Sequence, residues 1–252
     1  MDTLGTISSK PANVTETALR LEAFERLRYL GESGKSGLLT GVPGTGKTEL
    51  LNQLARRLRR DGISVVQVSL SGVGGPEIPL QFATRFGLGL SFHATEIEIW
   101  ARLQEYAESS QALDRPLAFL VDHLDRAKES VAMPLHRVME LFGRAAWIVS
   151  SRIPCLDRWQ NLLRDRGAIR VDLKELQPRE AAQIVSRELA RHSPHLRMTP
   201  DGLAALQELS GGRIRQVKQL AELATLAAEA EGEIEVDEEL VRGVLKEFAE
   251  IV

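Results

Sequence analysis

Through the first two thirds of the chain, short apolar runs alternate with longer amphipathic stretches. The runs lie at residues 37–40, 63–70, 117–121, 145–150 and 168–173, and helical spacing fills the stretches near 48–60, 80–87, 95–110, 130–142 and 157–165. This alternation predicts a sheet whose strands are joined by crossover helices. Runs that are almost wholly apolar predict strands buried on both faces, hence a mostly parallel sheet. Ahead of the first run, Asn13 and Glu16 match a capping box that opens a helix reaching about Leu30. Ala18, Leu21, Phe24, Leu27 and Leu30 line one side of it, and Gly31 and Gly34 end it. Residues 1–12, small and polar, read as a mobile tail or a strap.

The segment 71–79 breaks the pattern with three glycines and two prolines and reads as a flexible loop. Beyond about residue 176 the strand pattern stops. Helical segments near 178–191, 200–209, 213–231 and 237–249 predict a second, all-helical unit. Pro178 and Pro200 suit first-turn positions, while Gly202 and Gly232 act as punctuation or cost helix stability. The expected layout is a tail at 1–12, an α/β core at 13–175 and a helical lid at 176–252.

Composition narrows the function classes. The chain has 252 residues, 43% hydrophobic and 27% charged, which is ordinary for a globular protein. A net charge of -3 provides no global positive field for nonspecific nucleic-acid binding, so DNA remains a partner only through a local patch. The single cysteine, Cys155, cannot form an internal disulfide and reads as structural. No apolar run is long enough to cross a bilayer and the N-terminus lacks a signal-peptide pattern, so a cytoplasmic protein without a membrane partner is expected.

Chemistry concentrates in Gly41-Val42-Pro43-Gly44-Thr45-Gly46-Lys47-Thr48, between the run ending at Thr40 and a predicted helix that includes Glu49. This is the phosphate-loop pattern in its strand-loop-helix setting. Its glycines permit backbone angles closed to other residues, so successive N–H groups can wrap a polyphosphate, and the helix adds its positive end. Lys47 supplies a point charge to the β- and γ-phosphates, and the Thr48 hydroxyl is a ligand for Mg²⁺. The apolar run 117–121 ends in Asp122, the carboxylate expected beside that metal. His123 follows, able to position water or accept a proton near neutral pH, and Asp125 is an alternative base. At the end of the run 145–150, Ser150, Ser151 and Arg152 stand at the carboxyl edge, where open α/β sheets bind ligands. Ser150 and Arg152 share one face of a strand and Ser151 the other; Arg152 either reaches a γ-phosphate or forms a surface ion pair. In the helical unit, Arg215 starts a long helix and can meet a nucleotide from the opposite side, with Arg213 as competitor. His93, His136, His192 and His195 lack metal spacing, and Arg56, Arg57, Arg59 and Arg60 form a basic helix end.

These segments, with Val171-Asp-Leu-Lys-Glu-Leu-Gln-Pro178 and Leu209-Ser-Gly-Gly-Arg-Ile-Arg215, resemble AAA+ ATPases of the general secretion pathway protein A type and the related transposon ATP-binding proteins. The likeness runs from about Leu19 to Phe248. It implies a P-loop NTPase with a five-stranded parallel sheet in the order 5-1-4-3-2 and a helical lid, and it implies ATP as the nucleotide. By that resemblance Ser150 or Ser151 is the first sensor and Arg215 the second, and nucleotide state is coupled to lid position and assembly into a homo-oligomer or onto a protein partner. His123 stands where the family has a glutamate, and the Ser-Ser-Arg run looks like that of switch-type signalling NTPases. A switch or adaptor with little turnover is therefore one alternative to an ATPase, and a DNA-linked assembly factor is another. Arg158, Arg164 and Arg166 include candidates for an arginine finger.

Overall fold

The computed structural model describes residues 17–91, 93–152, 159 and 162–249. The predicted cap at Asn13, Cys155, Arg158 and part of the helix expected near 157–165 lie outside them. Two compact units emerge among the described residues, one of 22–175 and one of 17–21 with 176–249.

The first unit runs α1 (Ala18–Glu32, shared with the second), β1 (Gly37–Thr40), α2 (Lys47–Arg60), β2 (Ser64–Ser69), α3 (Glu77–Arg85), α4 (Glu96–Ala112), β3 (Leu117–Asp122), α5 (Ala132–Leu141), β4 (Ala146–Ser151) and β5 (Ile169–Asp172). The five strands form one parallel sheet in the order β2-β3-β4-β1-β5. Because side chains alternate along a strand, each inner strand feeds two cores. Phe119, Val121, Trp147 and Val149 pack with α3, α4 and α5 on one face, while Leu39, Leu120 and Ile148 pack with α1 and α2 on the other. On the first face Phe119 and Trp147 stack with centroids 4.0 Å apart. In α2 the spacing of Leu50, Leu51, Leu54 and Leu58 gives one buried side, and Arg57, Arg59 and Arg60 occupy its last turn. Arg57 is paired with Asp61 there.

Two expectations change. Burial on both faces holds for β1, β3 and β4, but β2 and β5, as edge strands, are partly exposed. The segment after β2 is tied down rather than loose: Gly72 N–H donates to Arg126 O, Lys128 N–H to Val73 O, and Gly75 N–H to Ser130 Oγ. Helix α3 then starts at Glu77, with Pro79 inside its first turn where a missing N–H costs nothing.

The second unit contains α6 (Pro178–His192), β6 (Arg197–Met198), α7 (Pro200–Ser210), α8 (Ile214–Glu231), β7 (Glu235–Val236) and α9 (Glu238–Ala249). Pro178 and Pro200 open their helices, and Gly232 is the left-handed C-cap of α8. The unit is not wholly helical. β6 and β7 pair in parallel over two residues each, too short for period-two patterning to register in sequence. Gly202 belongs to this contact, since a Cβ there would lie 2.5 Å from Val236 O. No described helix is long and apolar enough to cross a membrane.

Candidate functional site

All five strands end in polar residues at one edge of the sheet. Ser69 pairs in register with Asp122, Leu39 with Ser150, and Thr40 with both Ser151 and Asp172. From Thr40 the chain enters the loop 41–46, in which Gly44 and Gly46 have φ near 89° and 88°. Gly46 is the left-handed N-cap of α2, so the helix starts at Lys47. At Gly41 a Cβ would fall 2.4 Å from Leu173 O, so only glycine lets the loop leave the sheet here. The Thr45 hydroxyl donates to Val42 O at 3.0 Å and its N–H approaches the same oxygen, which tightens the turn around Pro43.

Lys47 Nζ donates to Gly41 O at 2.6 Å and Val42 O at 3.1 Å, lying across the loop that precedes it. Burial lowers its pKa; Asp125 and Asp122 oppose that shift, and Arg152 and Arg126 add to it. The Thr48 hydroxyl donates to Asp122 Oδ2 at 2.7 Å. The other Asp122 oxygen accepts from Ser150 Oγ and, at 2.9 Å, from His123 N–H. Asp122 is 4% exposed, so its charge is held by fixed donors rather than by water. Glu49 differs: its carboxylate accepts from Gln53 and pairs with Arg56 along α2.

His123 has φ 59° and ψ 39°, a left-handed conformation uncommon for a side-chain-bearing residue. It turns the chain sharply from β3 into the 3-10 turn Leu124–Arg126. Its Nδ1 lies 3.2 Å from Ser69 Oγ and 3.4 Å from Asp122 Oδ2. Asp125, in that turn, accepts from Arg152 Nε at 2.7 Å. The two serines of β4 divide as strand alternation requires: Ser150 reaches Asp122, while buried Ser151 donates to Arg152 O. Asp172 accepts from Thr40 Oγ1 and Arg170 Nε.

The fold thus gathers Gly41–Thr48, Asp122, His123, Asp125, Ser150, Ser151 and Arg152 at one edge. Sequence reasoning missed Ser69, although the carboxyl-edge rule that singled out Ser150 applies equally to the last residue of β2. Arg213 and Arg215 belong to the other unit. Gly211 and Gly212 are both left-handed, and a Cβ at Gly212 would lie 2.5 Å from Leu176 O, which explains the paired glycines as the turn opening α8. Arg215 is the second residue of α8; it and Arg213 are exposed and make no ion pair among the described residues. Arg166 is engaged structurally, donating to Met139 O and Gly143 O and lying 5.8 Å from the Trp147 ring. His136, His192 and His195 each lie beside a glutamate, and no metal cluster of three His, Cys, Asp or Glu occurs among the described residues.

Residues 27–150 match the family model described as an AAA domain. No curated protein matches the sequence. Among solved structures the chain is similar to Cdc6p from Pyrobaculum aerophilum (TM-score 0.73, 17% identity, 94% of this chain and 69% of that one). It is also similar to the Aeropyrum pernix ORC2 protein, solved as ADPNP–ADP complexes (TM-score 0.68, 17% identity, 94% and 70%). A third similarity is to the RuvB Holliday junction branch migration motor of Thermotoga maritima (TM-score 0.57, 17% identity, 90% and 66%). At these identities the likeness is one of fold, and the fold is that of a P-loop NTPase.

Proposed function

We propose that this chain binds ATP with Mg²⁺ and hydrolyses it, as an AAA+ ATPase of the general secretion pathway protein A and transposon type. One observation carries the reading: the Thr48 hydroxyl and the Asp122 carboxylate meet at 2.7 Å beside a glycine loop crossed by Lys47. Hard oxygen donors in contact suit magnesium, and a loop that admits no Cβ at Gly41 suits close backbone approach to a polyphosphate. The metal, when bound, would supply positive charge to the β- and γ-phosphate oxygens. The loop N–H groups and the start of α2 bind and orient the phosphates. Lys47 exchanges its two carbonyl contacts for phosphate oxygens, and an anion there opposes the downward shift that burial gives its pKa in the free loop. Ser150 holds Asp122 in the orientation that faces Thr48. His123, with Nδ1 beside Ser69, has Nε2 left to orient the attacking water. Arg152 lies in the electrostatic neighbourhood of Lys47, consistent with a contact to the terminal phosphate. Arg215 serves as a second sensor by family resemblance, coupling nucleotide state to the helical unit and to assembly.

Calorimetric titration with Mg-ATP tests the binding claim. Submicromolar to micromolar affinity is expected for the intact chain and none for Lys47→Ala; equal binding by both proteins overturns the reading.

The second reading, a nucleotide-dependent switch with little turnover, is favoured by His123, whose backbone amide and ring are both engaged in the network. A phosphate-release assay separates the two. Steady release abolished in His123→Ala supports hydrolysis; release that appears only in His123→Glu supports the switch. Of the third reading, a DNA-linked assembly factor, the support is the similarity to the DNA-bound Drosophila ORC structure (TM-score 0.68, 16% identity), set against a net charge of -3. Any DNA binding should weaken steeply with salt, and undetectable binding rejects that reading.

A further inference from the structure

Asp125 and Arg152 form an ion pair at the carboxyl edge that the phosphate-loop chemistry does not itself require. The two partners are unequal. Asp125 has a side chain only 5% exposed, whereas that of Arg152 is 44% exposed. The carboxylate is also fixed through its backbone: its 3-10 turn is closed by Arg126 N–H on His123 O and tied to the loop after β2 by Gly72 N–H on Arg126 O. The contact uses Nε of the guanidinium, at 2.7 Å. Among the described residues Nη1 and Nη2 of Arg152 have no hydrogen-bond partner.

A guanidinium has separate donor edges, so a carboxylate on Nε leaves the edge formed by the two terminal nitrogens available for a second, bidentate anion. A long side chain that is already held loses less freedom when it takes such a partner. Resting on the nucleotide reading above, the geometry points to Asp125 as a positioning residue that holds Arg152 by Nε so that its terminal nitrogens meet the terminal phosphoryl group of a nucleoside triphosphate. Asp125 then gives selectivity for triphosphate over diphosphate. This replaces its expected role as a substitute catalytic base, because the buried carboxylate is already engaged by the guanidinium. Both charges act on Lys47, in keeping with a position close to the phosphate loop.

The test is a comparison of dissociation constants for Mg-ADP and for a magnesium complex of a non-hydrolysable triphosphate analogue, by calorimetry on the full chain. Asp125→Asn is expected to weaken the analogue about tenfold and ADP less than about threefold. Arg152→Ala should do the same, and the double variant should be no weaker than Arg152→Ala alone, since Asp125 acts through Arg152. An unchanged ratio of the two constants in Asp125→Asn, or additive losses in the double variant, overturns the inference. Should Asp125→Asn lose ADP binding as well through misfolding, Arg152→Lys decides: lysine keeps the charge but cannot span both anions, so the triphosphate preference should vanish, and its retention overturns the inference. Wild-type protein that binds neither nucleotide overturns the function reading; wild-type protein that binds both, with variant ratios unchanged, overturns the Asp125 role alone.

Discussion

Thr48 and Asp122, 74 residues apart in the chain, are joined by a hydrogen bond of 2.7 Å between the first turn of α2 and the end of β3. Neither residue is distinctive alone. Their meeting follows from the parallel sheet, which carries β1 and β3 to the same edge on either side of β4.

Asp122 accepts from Thr48, Ser150 and the His123 amide, so both of its oxygens face donors. In Asp122→Asn an amide NH₂ replaces one acceptor and meets those donors. We expect a loss of about 1–3 kcal/mol in urea unfolding. Chelation should weaken ATP binding to wild type by at least about tenfold and leave the variant unaffected; an equal response of both proteins to chelator would count against Asp122 as the metal's partner.

Gly41→Ala should destabilise the chain by about 1–3 kcal/mol, because the new methyl falls on a backbone carbonyl that cannot swing aside as a side chain would. The check is a denaturant midpoint, paired with Mg-ATP titration. A variant as stable as wild type would mean that the loop takes another path away from β1.

Trp147 is fully buried, stacked on Phe119 and 6.1 Å from Phe82. Trp147→Ala is expected to cost about 3–5 kcal/mol in urea unfolding, at the upper end of core truncations. A loss below about 1 kcal/mol would show that this side of the sheet repacks freely.

Asp172 gives a prediction about acid. Burial alone raises its pKa, but hydrogen bonds from Thr40 and Arg170, with the charges of Arg170 and Lys174, bring it below the usual aspartate value. A lowered folded pKa favours the ionised form in the native state. Its stabilisation is therefore present above about pH 4 and is lost as pH falls through the lower folded value. With the side chain 42% exposed, screening limits the effect to about 1 kcal/mol or less. Asp172→Asn should flatten the acid limb of stability against pH by that amount, and an unchanged limb would refute it.

Periodicity made the sheet and its helices legible, because α2 buries Leu50, Leu54 and Leu58 on one side and the three inner strands are apolar on both. The phosphate loop was legible for a different reason: its glycines and Lys47 are adjacent in sequence, so no tertiary information is needed to assemble them. Ser69, the Asp125–Arg152 pair and the β6–β7 pairing were not. Ser69 meets His123 only because β2 lies beside β3, and Arg152 takes Asp125 only because the left-handed turn at His123 lifts the following residues toward β4. Such contacts depend on strand order and backbone handedness, which local spacing does not encode.

Strand β1 has no sequence neighbour in the sheet; its partners β4 and β5 lie about 110 and 130 residues further along. Closing loops of that size comes late in folding, since their entropy must be paid before the pairing contributes anything. On a ribosome the segment that becomes the phosphate cradle would wait in the tunnel's lee, unpaired, until β4 emerged. Nascent chains stalled before residue 151 should therefore fail to retain labelled nucleotide, and the onset of retention would mark the moment at which this domain closes.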